Sequence, residues 1–475
     1  MSDISNVVSS MQKIMWKDAW VDGDAQRIGQ LSWMLFLKIF DAREKELEIL
    51  QKGYKSILPD WLRWRDWAED DEWITWDALI DFVNNKLLPE LKKIHTSDDR
   101  PMTYIIRNVF EDTNNYMKSW TLMRQVINKL DEIDFNKKEE LHIFNDIYEK
   151  ILNDLQSAGN AWEFYTPRAV THFIVEMVDP KLWETVIDPA CWTGWFLTAT
   201  IDYVRKYYVK SPDDEHLLSE SIYWWELKQL PHLLATTNLI LHGIEVPKNL
   251  RHGDSLARPL KDIWPKDQKD IVVMNPPFGW HIEDGIIHNF PSRFQTTETF
   301  SLFVLLIINL LKNWWRAWIV LPDGFLFGEW IGARIREELL TKCNLHTIIR
   351  LPNNVFAPYA NVATNLLFFT KWETTKEVWF YEHKVPEWQK TYNKSNPIKL
   401  GEFDKERVRW NNRVENSVSW KVSIDQIKER DRNLDRKNPN TVIEEEVLDT
   451  GEIISKIEHN LDESRSILSQ LKQNL

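Results

Sequence analysis

Asn275, Pro276, Pro277 and Phe278 set a side-chain amide, two prolines of fixed φ and an aromatic ring in one short turn. The β-rich run "DIVVM" delivers the chain to that turn, so the amide falls at a strand end. Other runs of the same kind end in acids: "ETVID" stops at Asp188, "SIYWWE" stops at Glu226, and "RHGDSL" carries Asp254. Taken singly, each has a bland reading, with Glu226 a solvated helix-start residue, Asp254 a turn former and NPPF a strand-ending turn. Taken in order, each after its own strand, they line one crevice at the carboxyl ends of a parallel sheet, where open α/β folds hold nucleotides. In such a crevice a strand-end acid accepts hydrogen bonds from two ribose hydroxyls, the role open to Glu226, and Asp254 can contact an adenine amino group.

The first of these strands runs on into a peculiar turn. "VIDPACWTGWFLTA", Val186 to Ala199, has the outline of strand, nucleotide-binding turn and helix, yet Trp192 and Trp195 sit where the turn wants glycine. The chain holds 26 Trp and 14 Gly, whereas average usage predicts roughly 33 glycines. Many of the surplus tryptophans stand beside turn formers or charges, as in "KDAWVDGD", "PKLWETV" and "PEWQK". We read eighteen as glycine positions: Trp16, Trp20, Trp73, Trp76, Trp120, Trp162, Trp183, Trp192, Trp195, Trp224, Trp264, Trp280, Trp314, Trp315, Trp318, Trp330, Trp372 and Trp388. A codon read as glycine in the source and translated here as tryptophan, the opal stop codon being the candidate, accounts for all of them. With glycine restored the turn reads DPACGTGGF, a backbone free to take positive φ and to approach a ligand closely. Real indoles would instead fill the crevice and leave a catalytically inactive scaffold.

The elements that must position these residues fall into three stretches. Residues 1–158 read as an N-terminal helical domain, with "IGQLSWMLFLKIFDAREKELEIL" and "LHIFNDIYEKILNDLQ" apolar at helical spacing. Residues 159–400 alternate short β-rich runs with helical ones, the pattern of an α/β domain with a largely parallel sheet. Residues 401–475 form an extension that closes on an amphipathic helix, where Ile454, Ile457, Leu461, Leu468, Leu471 and Leu475 step at three and four residues. Such a stripe needs a partner surface, either this chain's own helical domain or another subunit.

Composition narrows the class further. Hydrophobic residues at 43% and charged residues at 28% describe an ordinary globular protein. Two cysteines, Cys191 and Cys343, are too few for a disulfide framework or a zinc site, so no metal is expected and the cytoplasm is the expected compartment. No secretory leader is read at the start, and the longest apolar run, Phe300 to Leu311, is too short to span a bilayer. A net charge of −13 argues against gripping nucleic acid by the chain as a whole and leaves room for a local basic groove or a nucleic-acid-holding partner.

The ordered set DPA…TG…F, strand-end acid, "GDS" and "NPPF", with "FYTP" (Phe164 to Pro167) ahead of it, resembles the S-adenosylmethionine-dependent adenine-N6 DNA methyltransferases. Over nearly its whole length the chain looks like the modification subunit of type I restriction-modification systems. The resemblance implies a Rossmann-like methyltransferase domain between the helical domain and the helical tail. It implies cofactor contacts from Phe164, Tyr165, Thr166, Asp188, Ala190, Trp192, Thr193, Gly194, Glu226 and Asp254: Asp188 facing the methionine amino group, Glu226 the ribose, Asp254 the adenine, and Phe164, Tyr165 and Thr166 closing the methionine end. It implies catalysis by Asn275, Pro276, Pro277 and Phe278 on an adenine flipped out of duplex DNA. "VFAPYANVATNLLFF" resembles a further family segment near the target base.

The 75 residues after 400 leave little room for a module that reads base edges. Sequence recognition is therefore expected from a separate specificity subunit, with a restriction subunit completing the complex. A turn of the NPP type suits any planar amino group, so cytosine-N4 and protein glutamine stand as alternative substrates. A dehydrogenase is disfavoured, because no GxGxxG follows the first strand even with glycines restored.

Overall fold

In the computed structural model, the described residues are 2–69, 77–97, 100, 102–133, 166–244, 249–279, 282–357, 362–393, 395–440 and 461. Phe164, Tyr165, Trp73, Trp76, Trp162, Trp280 and, apart from Leu461, the apolar stripe of the tail lie outside them.

The N-terminal stretch is helical as its periodicity predicts, built on Ser2–Met15, Gly23–Leu50, Met102–Phe110 and Trp120–Asp131. The long helix Gly23–Leu50 is buried on all sides from Trp33 to Leu37, and its Lys38 reaches across to Asp131 at 2.8 Å.

A nine-stranded sheet follows: β1 (Val186–Asp188), β2 (Ile222–Glu226), β3 (Leu250–His252), β4 (Lys269–Met274), β5 (Leu311–Pro322), β6 (Cys343–Arg350), β7 (Thr364–Lys371), β8 (Glu377–Glu382) and β9 (Ser419–Ser423). The order is β3-β2-β1-β4-β5-β7-β6-β8-β9. From β3 to β5 every pairing is parallel, and β7 enters antiparallel to both of its neighbours. The order reverses between β1 and β4, and a crevice opens at the carboxyl ends of strands at such a switch point. Alternation along the strands sorts side chains to two cores: Val186, Ile271 and Val273 face one, Ile187, Val272 and Met274 the other.

The sheet continues past residue 400, where the sequence pattern thins. The segment Ser419–Ser423 pairs antiparallel with β8 and forms the outer edge. The apolar run from Phe300 is the buried helix its composition predicts, Thr299–Leu310, before the chain turns directly into β5. No described helix is long and apolar enough to cross a membrane.

The helix Gln229–Leu241 joins the two halves. Its Ala235 and Leu239 belong to a sheet-side core, and its Leu233, Leu234 and Ile240 to the core of the N-terminal helices. At its start the Gln229 side chain donates to the Val109 carbonyl at 2.9 Å.

Candidate active site

The three sequence-marked strand ends stand where expected. Asp188 closes β1, Glu226 closes β2 and Asn275 follows directly on β4. Glu226 and Asn275 line a cavity of about 520 Å³, within the range of small-molecule sites. Ala190, Trp192, Glu226 and Asp254 line it, together with Asn275, Pro276 and Pro277.

Hydrogen bonds lace the turn after β1 to the end of β2. The Cys191 amide donates to the Trp225 carbonyl at 3.0 Å. The amides of Trp192 and Lys228 donate to the two oxygens of the Glu226 carboxylate at 2.9 and 2.8 Å. The Gly253 amide donates to the Glu226 carbonyl at 2.8 Å, which brings the "GDS" segment alongside. Glu226 is thus held in place on the cavity wall with 7% of its surface exposed.

The remaining sequence-marked residues support the wall without lining it. Asp188 is 1% exposed and accepts the Ala190 amide at 3.1 Å. Burial raises its carboxyl well above the usual range, the Ala190 amide opposes this, and the Glu226 charge adds to it. Thr193 is fully buried, with its carbonyl accepting from Asn238. Gly194, at φ 81, starts the helix Trp195–Tyr207. Phe278 is 8% exposed, its ring edge-on to Phe300 with centroids 6.5 Å apart. Thr166 is buried, and its hydroxyl accepts the Asn275 amide nitrogen at 2.8 Å.

Asp254 accepts the Leu256 amide at 2.7 Å. Its carboxyl is raised by burial, against the pull of that amide and of Arg251. Burial also pushes the Cys191 thiol well above its ordinary value, so it packs and does not react as a thiolate. Among the described residues no cluster of His, Cys, Asp or Glu could hold a metal ion.

Sequence reasoning missed the far wall, made by Ile282, Glu283, Ile286 and Phe303, and the residues Ser255 to Ala257 that extend the "GDS" segment. The latter were within reach, because they continue a segment already singled out. The former carry no local mark.

Backbone geometry separates the tryptophans. Trp192, Trp314, Trp330 and Trp372 take positive φ (48°, 73°, 58° and 102°), a region that bulky residues enter only under strain. All four are among the eighteen glycine-like positions. Of the fourteen that are described, eight are more than half exposed, Trp330 reaching 81%. Trp195 behaves otherwise: it is buried, lies under the Arg168 guanidinium at 4.5 Å and faces the N-terminal core, away from the cavity. Trp224 and Trp318 are buried in the sheet core, with no acceptor for their indole nitrogens among the described residues. Of the two indoles in the turn after β1, therefore, Trp192 is the one on the cavity wall.

Comparison with known proteins gives a consistent result. Residues 139–447 match the N-6 DNA Methylase family model and residues 4–130 the HsdM N-terminal domain. The chain is 55% identical over 444 residues to the type I restriction enzyme EcoEI methylase subunit of Escherichia coli, covering 92% of this chain and 90% of that one. It is similar to the crystal structure of a modification subunit of a type I restriction enzyme from Vibrio vulnificus YJ016, with a TM-score of 0.85 and 40% identity over 92% of this chain and 96% of that one. A chain from a type I R-M system, solved to explain complex assembly and conformational transition, superposes with a TM-score of 0.80 and 32% identity over 99% and 98% of the two chains.

Proposed function

This chain belongs to the N-6 DNA methylase family, among the methylase subunits of type I restriction enzymes, and from that premise we propose that it methylates adenine N6 at specific sites in duplex DNA, using S-adenosylmethionine, as the modification subunit of a type I restriction-modification complex. The observation that carries this reading is the convergence of Glu226, Asp254 and the Asn275-Pro276-Pro277 turn on one cavity at the switch point of the sheet.

The residues present fit the cofactor. Glu226 offers a carboxylate to ribose hydroxyls and Asp254 offers one to an adenine amino group, while Glu283 adds a third acid to the lining, which suits a ligand carrying a sulfonium and an ammonium charge. When bound, S-adenosylmethionine supplies an electrophilic methyl group. Asp188 supports the turn that faces it, and Phe164, Tyr165 and Thr166 are assigned to its methionine end by resemblance.

The chain's own task is to make a poor nucleophile available. An adenine amine has its lone pair delocalised into the ring. The Asn275 side-chain carbonyl and the Pro276 backbone carbonyl can accept its two N–H hydrogens and localise that lone pair without a strong base. The two prolines hold both acceptors still, so the dipoles are preorganised towards the positive charge that develops on the amine. Phe278 is the ring that the resemblance assigns to stack on an extruded base, for which it must share or leave its packing on Phe300.

With β9 built into the sheet, even less of the chain after residue 400 is left to read base edges. A specificity subunit supplies that reading, and a restriction subunit completes the complex. The test is methyl transfer by the chain reconstituted with its specificity subunit. Asn275→Ala should abolish transfer and change cofactor affinity less than about twofold. Undiminished methylation by that variant would remove the assignment.

A further inference from the structure

We infer that Thr166 is a positioning residue for Asn275: its hydroxyl fixes which end of the Asn275 amide faces the substrate amine. The inference rests on the catalytic reading of Asn275 given above. It departs from the methionine-end role that the sequence resemblance gives to Thr166.

A primary amide has a donor end and an acceptor end of nearly equal shape. The chemistry proposed for Asn275 works with one of them only, because a flipped amide would present two donors to an amine that must itself donate. The Asn275 Nδ2 donates to Thr166 Oγ1 at 2.8 Å; with the hydroxyl accepting, the nitrogen end is occupied and the carbonyl end is left for the substrate amine. Thr166 is 6% exposed and is not part of the cavity wall, whereas Asn275 is. The hydroxyl is itself held. Pro167 follows it, restricting the Thr166 backbone to extended conformations, and Pro167 in turn begins the helix Arg168–Val178, whose Val170, Phe173 and Ile174 are locked in the sheet-side core. The two residues lie 109 positions apart, so the "FYTP" and "NPPF" motifs meet through this bond.

The test uses the full chain reconstituted with its specificity subunit, as written or as Trp192→Gly, whichever transfers methyl groups. Single-turnover transfer at saturating cofactor and cofactor affinity are measured side by side. Thr166→Val removes the hydroxyl at nearly constant shape and should slow transfer about tenfold, the rate equivalent of one ordinary hydrogen bond, with affinity changed less than twofold. Thr166→Ser should restore the rate. In an Asn275→Asp background, where either carboxylate oxygen is an acceptor, Thr166→Val should change the rate less than twofold. If Thr166→Val fails to fold, the Ser and Ala variants, which differ by the hydroxyl alone, make the same comparison.

Equal transfer rates for the hydroxyl-bearing and hydroxyl-lacking variants overturn the inference while leaving the Asn275 assignment intact. Weakened cofactor binding with an unchanged saturated rate also overturns it and returns Thr166 to the cofactor. Full activity of Asn275→Ala removes the catalytic reading itself, and the inference with it.

Discussion

Replacing Trp192 separates two effects that its position combines, one on the backbone and one on the crevice. At φ 48° a bulky residue carries roughly 1–2 kcal/mol of left-handed strain. Glycine relieves it and loses roughly 0.5–1 kcal/mol through greater freedom in the unfolded chain. Trp192→Gly should therefore be more stable than Trp192→Ala by about 0.5–1 kcal/mol, since both lose the indole and alanine alone keeps the strain. On the ligand side, a cofactor entering a wall already occupied by an indole meets the penalty of an overpacked core, about 1–3 kcal/mol. Both variants should consequently bind S-adenosylmethionine roughly 5- to 150-fold more tightly than the chain as written. Calorimetric titration gives the affinity and urea unfolding the stability. No gain in affinity for either variant would refute the steric argument. Equal stability of the Gly and Ala variants would refute the backbone argument. Trp314, Trp330 and Trp372 should show the same Gly-over-Ala preference. Trp224→Gly should lose about 3–5 kcal/mol, as expected for emptying a core site. The codon at position 192 in the source gene tests the glycine reading directly.

Phe278→Ala should abolish adenine methylation in the reconstituted complex and leave cofactor affinity within about twofold, measured by methyl incorporation and calorimetry; retained transfer would show that the ring does not hold the base. Deleting residues 450–475 should weaken assembly with the specificity subunit, followed by sedimentation, and spare cofactor affinity, because the crevice is complete before that point; intact assembly would assign the apolar stripe to internal packing. His232 is fully buried, with neither ring nitrogen paired among the described residues, and burial, aided by His252, lowers it from 6.5 to about 3. The unfolded chain takes up this proton below pH 6.5 and the folded chain only near 3, so the stability it confers is complete above pH 6.5 and is lost as the pH falls. Between pH 7 and 5 the loss is about 2 kcal/mol, and urea unfolding of His232→Leu should show a pH dependence smaller by that amount.

The near wall of the crevice was legible because each part of it is punctuation. An acid, a proline pair or a turn former ends an apolar run; each alone has an ordinary structural role, and it is their order, each after its own strand, that marks a crevice. The far wall had no such mark. Ile282, Ile286 and Phe303 carry the same apolar signal as any core residue, and only tertiary placement gives them to the cavity. Thr193 and Gly194 belong to the motif and sit in its turn, the one buried and the other at the start of a helix. The direction of β7 was equally hidden. "TNLLFFT" is apolar on both faces, so nothing in it distinguishes a parallel neighbour from an antiparallel one. The segment "SWKVS" was masked by its charged surroundings, although its buried and exposed residues largely alternate. Of the tryptophans read as glycine positions, Trp192, Trp314, Trp330 and Trp372 have the positive φ that glycine tolerates best. Within β2 and β5 the same reasoning reached Trp224 and Trp318, where the backbone has no need of glycine.

The helix Gln229–Leu241 gives the molecule a mechanical linkage. It is a shared beam: one side bears on the sheet, the other on the N-terminal helices, and its leading residue is tied to Val109. Separating the N-terminal helices from the sheet would leave Leu233, Leu234 and Ile240 bare to water. Lys228, immediately before the beam, holds one oxygen of Glu226 through its amide. The N-terminal helices are thus joined, through a single helix and the Lys228 amide at its head, to the carboxylate proposed to hold the ribose.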